Sequence, residues 1–206
     1  MPATVVVPAY DPASVGVGIV HLGVGAFHRA HQAVYTDALL AADPRWGICG
    51  VSLKTPRAMQ GLAEQDGLYS VLWKGDGATR AQVIGALREV RFAGTDRAAT
   101  VARIADPRIG VVTLTVTEKG YCHDPASGAL DFAHPDIVAD LAHPGAPVSA
   151  IGTLAAAIAA RRDARAGPLT IVCCDNLPHN GRVLEGLVRA FAAARDRTLP
   201  AWIDDH

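Results

Sequence analysis

Four short segments of this 206-residue sequence carry residues of the type and spacing that chemistry needs. The first is Gly23-Val24-Gly25-Ala26-Phe27-His28. Two glycines one residue apart let the backbone turn sharply and approach a ligand, and free N–H groups at a helix start attract an anion. A dinucleotide pyrophosphate suits such a turn, although His28 replaces the third glycine of the general G-x-G-x-x-G pattern, so a plain tight turn fits as well. The second is Ser52-Leu53-Lys54-Thr55-Pro56-Arg57, at the place where a ribose-binding carboxylate is expected and none occurs. Lys54 and Arg57 would meet a 2′-phosphate there and favour NADP; a solvated basic pair is the plainer alternative.

The third segment, Thr117-Glu118-Lys119-Gly120-Tyr121, sets charge where a strand ends, and the fourth, Asp175-Asn176-Leu177-Pro178-His179-Asn180-Gly181, does the same after another strand. In an open parallel sheet, ligands bind beyond the carboxyl ends of the strands. The Asn176 amide would hold a substrate oxygen as charge develops on it. Local pairing of Glu118 with Lys119, and an Asx turn around Asp175 and Asn176, are the structural alternatives. No G-x-S-x-G elbow supports a hydrolase. His28 and His31 lack a third ligand, so no metal is expected.

The elements that must position these segments are legible in the apolar pattern. Residues 18–22 read as a strand that ends in the glycine turn, and 32–42 as a helix. Residues 46–53 form a second apolar run without polar alternation, as in a parallel strand buried on both faces. Residues 69–73 and 82–84 flank Lys74-Gly75-Asp76-Gly77 and read as an inserted β-hairpin. Thr95 or Asp96 caps a helix reaching Ala105, and residues 109–117 form the strongest strand. Ser149 caps a helix whose stripe is Ile151, Leu154 and Ile158, ending near Arg161, Arg162, Arg165 and Gly167. Residues 169–174 are another central strand, and Val183, Leu184, Leu187, Val188 and Phe191 mark a last helix. Residues 126–147 read as a loop over the strand ends, and the final residues, 202–206, as a stop without a concluding element. The alternation predicts an α/β fold with a doubly wound, mostly parallel sheet and an inserted hairpin.

Composition excludes several classes. Half the residues are hydrophobic, 19% are charged and the net charge is -1. No basic cluster marks nucleic-acid binding, and no apolar run or leader points to a membrane, so a cytoplasmic protein is expected. The four cysteines, Cys49, Cys122, Cys173 and Cys174, lack zinc-site spacing and read as reduced thiols, the last two on opposite faces of a strand.

Together, Gly23-Val24-Gly25-Ala26-Phe27-His28-Arg29-Ala30-His31, Gln65-Asp66-Gly67-Leu68-Tyr69, Thr115-Val116-Thr117-Glu118-Lys119-Gly120-Tyr121 and Cys174-Asp175-Asn176-Leu177-Pro178-His179-Asn180-Gly181 resemble one family. It is the long-chain mannitol dehydrogenases, which include mannitol 2-dehydrogenase, fructuronate reductase and tagaturonate reductase. The resemblance implies a Rossmann-like domain over residues 1–206 and NAD or NADP as cofactor. It puts Gly23, Val24, Gly25, Ala26, Phe27 and His28 against that cofactor, with Thr117 and with Glu118 near the nicotinamide end. Asn176 would be one of two asparagines polarising the reacting carbonyl. The implied reaction is metal-free hydride transfer between nicotinamide and a secondary alcohol or ketone of a polyol or sugar acid. The family's general-base lysine lies on a helical C-terminal domain not found in this sequence. A truncated, nearly inactive chain is therefore expected, with a non-catalytic nucleotide-binding fragment, or a subunit completed by a separate C-terminal chain, as alternatives.

Overall fold

The computed structural model describes residues 4–75 and 78–205. The expected turn at Asp76-Gly77 and the terminal His206 lie outside them. In chain order the elements are β1 (Thr4–Val6), β2 (Val17–Leu22), α1 (Ala26–Ala30), α2 (Gln32–Leu39), β3 (Gly47–Ser52), α3 (Arg57–Ala63), β4 (Tyr69–Gly75) and β5 (Ala78–Ile84). They continue with β6 (Leu87–Phe92), α4 (Arg97–Ala105), β7 (Val111–Leu114), α5 (Pro135–Ala142), α6 (Ala150–Ala164), β8 (Thr170–Cys173), α7 (Asn180–Arg195) and α8 (Leu199–Asp205).

Side chains on successive strand residues point to opposite faces, and across β2, β3 and β7 both faces are covered. The strand expected to be central at 169–174 is instead the edge strand β8, with Thr170 and Val172 exposed because no strand flanks it on one side. Val20, Leu22, Cys49, Val51, Val112 and Leu114 pack with Ile151, Leu154, Ile158, Leu187 and Phe191 of α6 and α7. Ile19 and Ile48 turn the other way, onto Val24, Ala33, Val34, Met59 and Leu62. A sheet buried on both sides takes apolar residues on both faces, which is why these strands do not alternate in polarity; the buried polar exceptions His21 and Thr113 bond each other.

The five central strands run in the order β6-β3-β2-β7-β8, and every pair is parallel. The chain winds outward from β2 through β3 to β6, then crosses back to β7 and β8. The switch point therefore falls between β2 and β7. The expected hairpin forms as antiparallel β4 and β5, and β1 joins β5 in parallel to make a separate three-stranded sheet.

Several expectations need correction. The helix expected over 32–42 forms but stops at Leu39, and a separate short helix, α1, precedes it because His31 takes φ -124 and ψ -88 and breaks the helical path. The strand expected over 109–117 is only Val111–Leu114, and Thr117 leaves the extended path altogether with φ 66. The stretch 126–147 contains α5, and the last residues close as α8. β1, α3 and β6 had no distinct signal; β6 is an edge strand whose Arg88, Glu89 and Arg91 obscure its apolar face. Among the described residues no helix is long and apolar enough to cross a membrane.

Candidate cofactor cleft

A cleft opens beyond the carboxyl ends of β2, β3 and β7, at the switch point. One wall is Gly23, Val24 and Gly25, a second is the four residues 52–55, and a third is Thr115, Val116 and Gly120, with Ala150 of α6 at the base. Three of the four segments singled out by sequence thus meet in one place.

The glycine loop is shaped by steric necessity. Gly23 has φ +98, and a Cβ there would lie 2.1 Å from the Thr115 carbonyl oxygen, so only glycine fits. Gly25 differs: its backbone is extended at φ -96, and the nearest atom to an added Cβ is 3.9 Å away. The fold leaves room at Gly25, so its missing side chain keeps space open in the cleft. Gly25 is also the N-cap of α1 and offers no side-chain cap. The first-turn N–H groups of Ala26, Phe27 and His28 are therefore available to an anionic oxygen. Residues 23–25 with this helix start form a cradle that fits a dinucleotide pyrophosphate.

His28 can meet the expected cofactor only through its backbone N–H, because its side chain is buried. Its ring is 1% exposed and stacks on His21 at 3.6 Å with an interplanar angle of 13°, facing the core instead of the cleft. Both of its ring nitrogens lack a hydrogen-bond partner among the described residues. His21, which the sequence did not single out, lies under the loop: Nδ1 is 2.7 Å from Thr113 Oγ1, and Nε2 is 2.9 Å from Thr115 Oγ1 and 3.3 Å from the Gly23 carbonyl. The Thr115 hydroxyl donates to the same carbonyl at 2.8 Å. Burial pulls the His21 pKa down to about 4, and burial together with the neighbouring His21 pulls His28 down further. Both rings are neutral supports for the loop. Ala26 and Phe27 are exposed on its outer side, and Phe27 stacks on His31, whose Nδ1 donates to the Phe27 carbonyl at 2.8 Å. The two histidines at 28 and 31 thus stack on different rings, His21 and Phe27.

On the second wall Lys54 is 62% exposed, and its Nζ donates to Asp136 Oδ2 of α5 at 2.9 Å. Lys54 is neither the free cation nor the merely solvated one that the sequence suggested. Arg57 begins α3 and is exposed. Cys122, His134 and Asp136 bring ligand atoms within 4.8 Å of one another. In that group the Lys54 ammonium already holds Asp136, and His134 Nδ1 accepts from the Asp136 N–H as the cap of α5.

The third wall is braced by a residue whose role the sequence left open. Asp175, just past β8, accepts from the Val116 N–H at 2.8 Å, the Thr117 N–H at 3.4 Å and the Tyr121 hydroxyl at 2.7 Å. Thr117 sits at φ 66 and ψ 159, a region nearly reserved for glycine, so the clasp holds strained backbone at the rim. Thr117, Glu118 and Asn176 are all exposed beyond the strand ends. The amide that ties the end of β8 is Asn180, donating to the Cys173 and Asp175 carbonyls at 3.1 and 3.0 Å. The asparagine that local turn chemistry needs is therefore Asn180, and Asn176 is left facing outward.

Known proteins share this arrangement. Residues 17–206 match the family model described as the mannitol dehydrogenase Rossmann domain. A mannitol 2-dehydrogenase from Cereibacter sphaeroides is 45% identical over 98% of this chain and 43% of its own length. D-mannonate oxidoreductase of Escherichia coli is 43% identical over 97% of the chain and 42% of its own. The solved mannitol 2-dehydrogenase of Pseudomonas fluorescens, a ternary complex with NAD and D-mannitol, superposes with a TM-score of 0.93 at 43% identity, covering 98% of this chain and 42% of that one. The chain thus spans less than half the length of these relatives. With its parallel sheet wound about β2 and its glycine cradle at the switch point, this chain belongs to the mannitol dehydrogenase family, whose Rossmann domain it carries.

Proposed function

We propose that the cleft binds NAD(H) or NADP(H), and that the chain is the cofactor-binding part of an oxidoreductase acting on a polyol or sugar acid. The reaction is hydride transfer between the nicotinamide and a secondary alcohol or ketone. The observation that carries this is the cradle itself, in which Gly23 is fixed by sterics and Gly25 is not. Gly25 lines the cleft, and its missing side chain leaves the backbone there open to close approach by a ligand. The D-mannitol and NAD bound by the Pseudomonas fluorescens enzyme, and the substrates named for the bacterial relatives, support the reaction class.

When bound, the nicotinamide supplies the hydride donor or acceptor. The chain's own residues do the rest that lies within their reach. The N–H groups at the start of α1 hold the pyrophosphate, Lys54 and Asp136 border the ribose, and Thr117 and Glu118 stand at the nicotinamide end. Asn176, on the rim beyond β8, donates its amide to the substrate oxygen and stabilises charge that develops there.

Gly25→Val tests the cradle. Its side chain has space in the fold, so thermal stability should stay near that of the wild type, while calorimetric titration should show NADH and NADPH binding lost. Equal affinities in the two proteins would sink the assignment.

A further inference from the structure

We propose that Asp136, through its pairing with Lys54, sets which nicotinamide dinucleotide this chain accepts, and that it selects the one with a free ribose 2′-hydroxyl. The inference rests on the reading of the cleft as a dinucleotide site. Lys54 lines that cleft and also an adjoining depression, which it shares with Leu53, Phe92, Arg97 and Asp136. The loop after the second strand of a doubly wound sheet is where ribose hydroxyls are met, commonly by a carboxylate. Residues 52–55 contain none. The fold supplies one from 82 residues further on, on the first turn of α5.

The pair has little to do for the fold. Lys54 is 62% exposed and Asp136 28%, and ion pairs so open to water add little stability. Its charges remain available to a ligand. A 2′-hydroxyl offers a proton that the Asp136 carboxylate accepts, and Lys54 can stay where it is. A 2′-phosphate offers no such proton and carries a charge of about -1.5 to -2, so Asp136 repels it and also withholds the Lys54 cation. Arg97, on the same depression, makes no ion pair among the described residues. Neutralising position 136 therefore leaves two cations facing the 2′ position with no carboxylate between them.

The experiment is titration of NADH and NADPH, followed by their own fluorescence, against the 206-residue chain and its Asp136→Asn, Asp136→Glu and Asp136→Asn/Lys54→Met variants. The wild type and Asp136→Glu should favour NADH. Asp136→Asn should shift the NADPH-to-NADH affinity ratio by about ten- to thirtyfold toward NADPH, less at high salt, as one unit charge opposite a dianion implies. The double variant should lose that gain, which separates a charge effect from a local change in α5. A ratio within about twofold of the wild type in Asp136→Asn, with binding retained, overturns this inference alone. Failure of the wild type to bind either dinucleotide overturns the reading of the cleft and this inference with it.

Discussion

At the residue scale the two glycines and the two stacked histidines make opposite demands. Gly23→Ala forces a Cβ into the Thr115 carbonyl at a left-handed φ, so it should destabilise the fold by roughly 2–4 kcal/mol, read as a shift of the urea midpoint. Gly25→Val should leave that midpoint alone, so the pair of variants separates a glycine needed for folding from one needed for a ligand. His21 is neutral in the fold, with its pKa lowered from 6.5 to about 4, whereas the unfolded chain takes a proton near pH 6.5. Stability is therefore complete above pH 6.5 and falls as the pH drops toward 4, by about 3 kcal/mol for His21 alone. Urea unfolding at pH 7, 5.5 and 4 measures it, and a His28→Phe variant, which removes one of the two titrating rings, should flatten the curve. An unchanged slope would show that the pair does not titrate in this window.

At the element scale, loops are tied by buried polar groups that local pattern does not reveal. Arg161, 1% exposed, donates to six carbonyls: those of Ile104, Asp106, Ile109, Ala166, Gly167 and Pro168. It joins the end of α4 and the start of β7 to the turn between α6 and β8, and burial lowers its pKa. Arg161→Met fills similar space but leaves those acceptors without a donor. The loss should be about 3 kcal/mol or more, with Arg161→Lys recovering only part because one ammonium cannot span the fork. Asp175→Ala should act closer to the cleft. It frees the Val116 and Thr117 N–H groups and leaves the Tyr121 hydroxyl to Cys173 Sγ, so the third wall relaxes, and dinucleotide affinity should fall about tenfold for a loss of about 1–3 kcal/mol in stability. Full affinity in that variant would detach the clasp from the site.

At the scale of the whole molecule, binding and turnover should come apart. The titratable group on the cleft is Lys54, held by Asp136, and the walls are otherwise glycine, aliphatic, serine and threonine residues. Among the described residues, nothing on those walls is poised to exchange a proton with a substrate oxygen in step with hydride transfer. Absence of a general acid or base removes about two to four orders of magnitude in rate. The 206 residues by themselves should bind NADH and yet oxidise it with fructose, fructuronate or tagaturonate at no more than trace rates. Addition of a separately expressed C-terminal half from a full-length relative should raise the rate. Turnover by the chain alone near 10 per second, ordinary for an enzyme, would overturn this and direct the search to Lys119, Tyr121 and His179.

The order of strands and helices, the turn after β2 and the segments at the strand ends were legible in the sequence, because apolar periodicity and glycine placement are set within a few residues of chain. The strands β1 and β6 and the short helices α3, α5 and α8 were not, since β6 is obscured by its charges and α5 lies in a stretch rich in turn residues. Which side chains meet was decided only in three dimensions. Lys54 reaches Asp136, His28 turns inward to His21, Asp175 braces Thr117, and Asn180 rather than Asn176 ties β8. Each of these contacts joins residues that come from different elements or from opposite sides of a turn. The pattern of a single segment records which face is buried, but the packing of the sheet and its helices determines what that face or rim will touch.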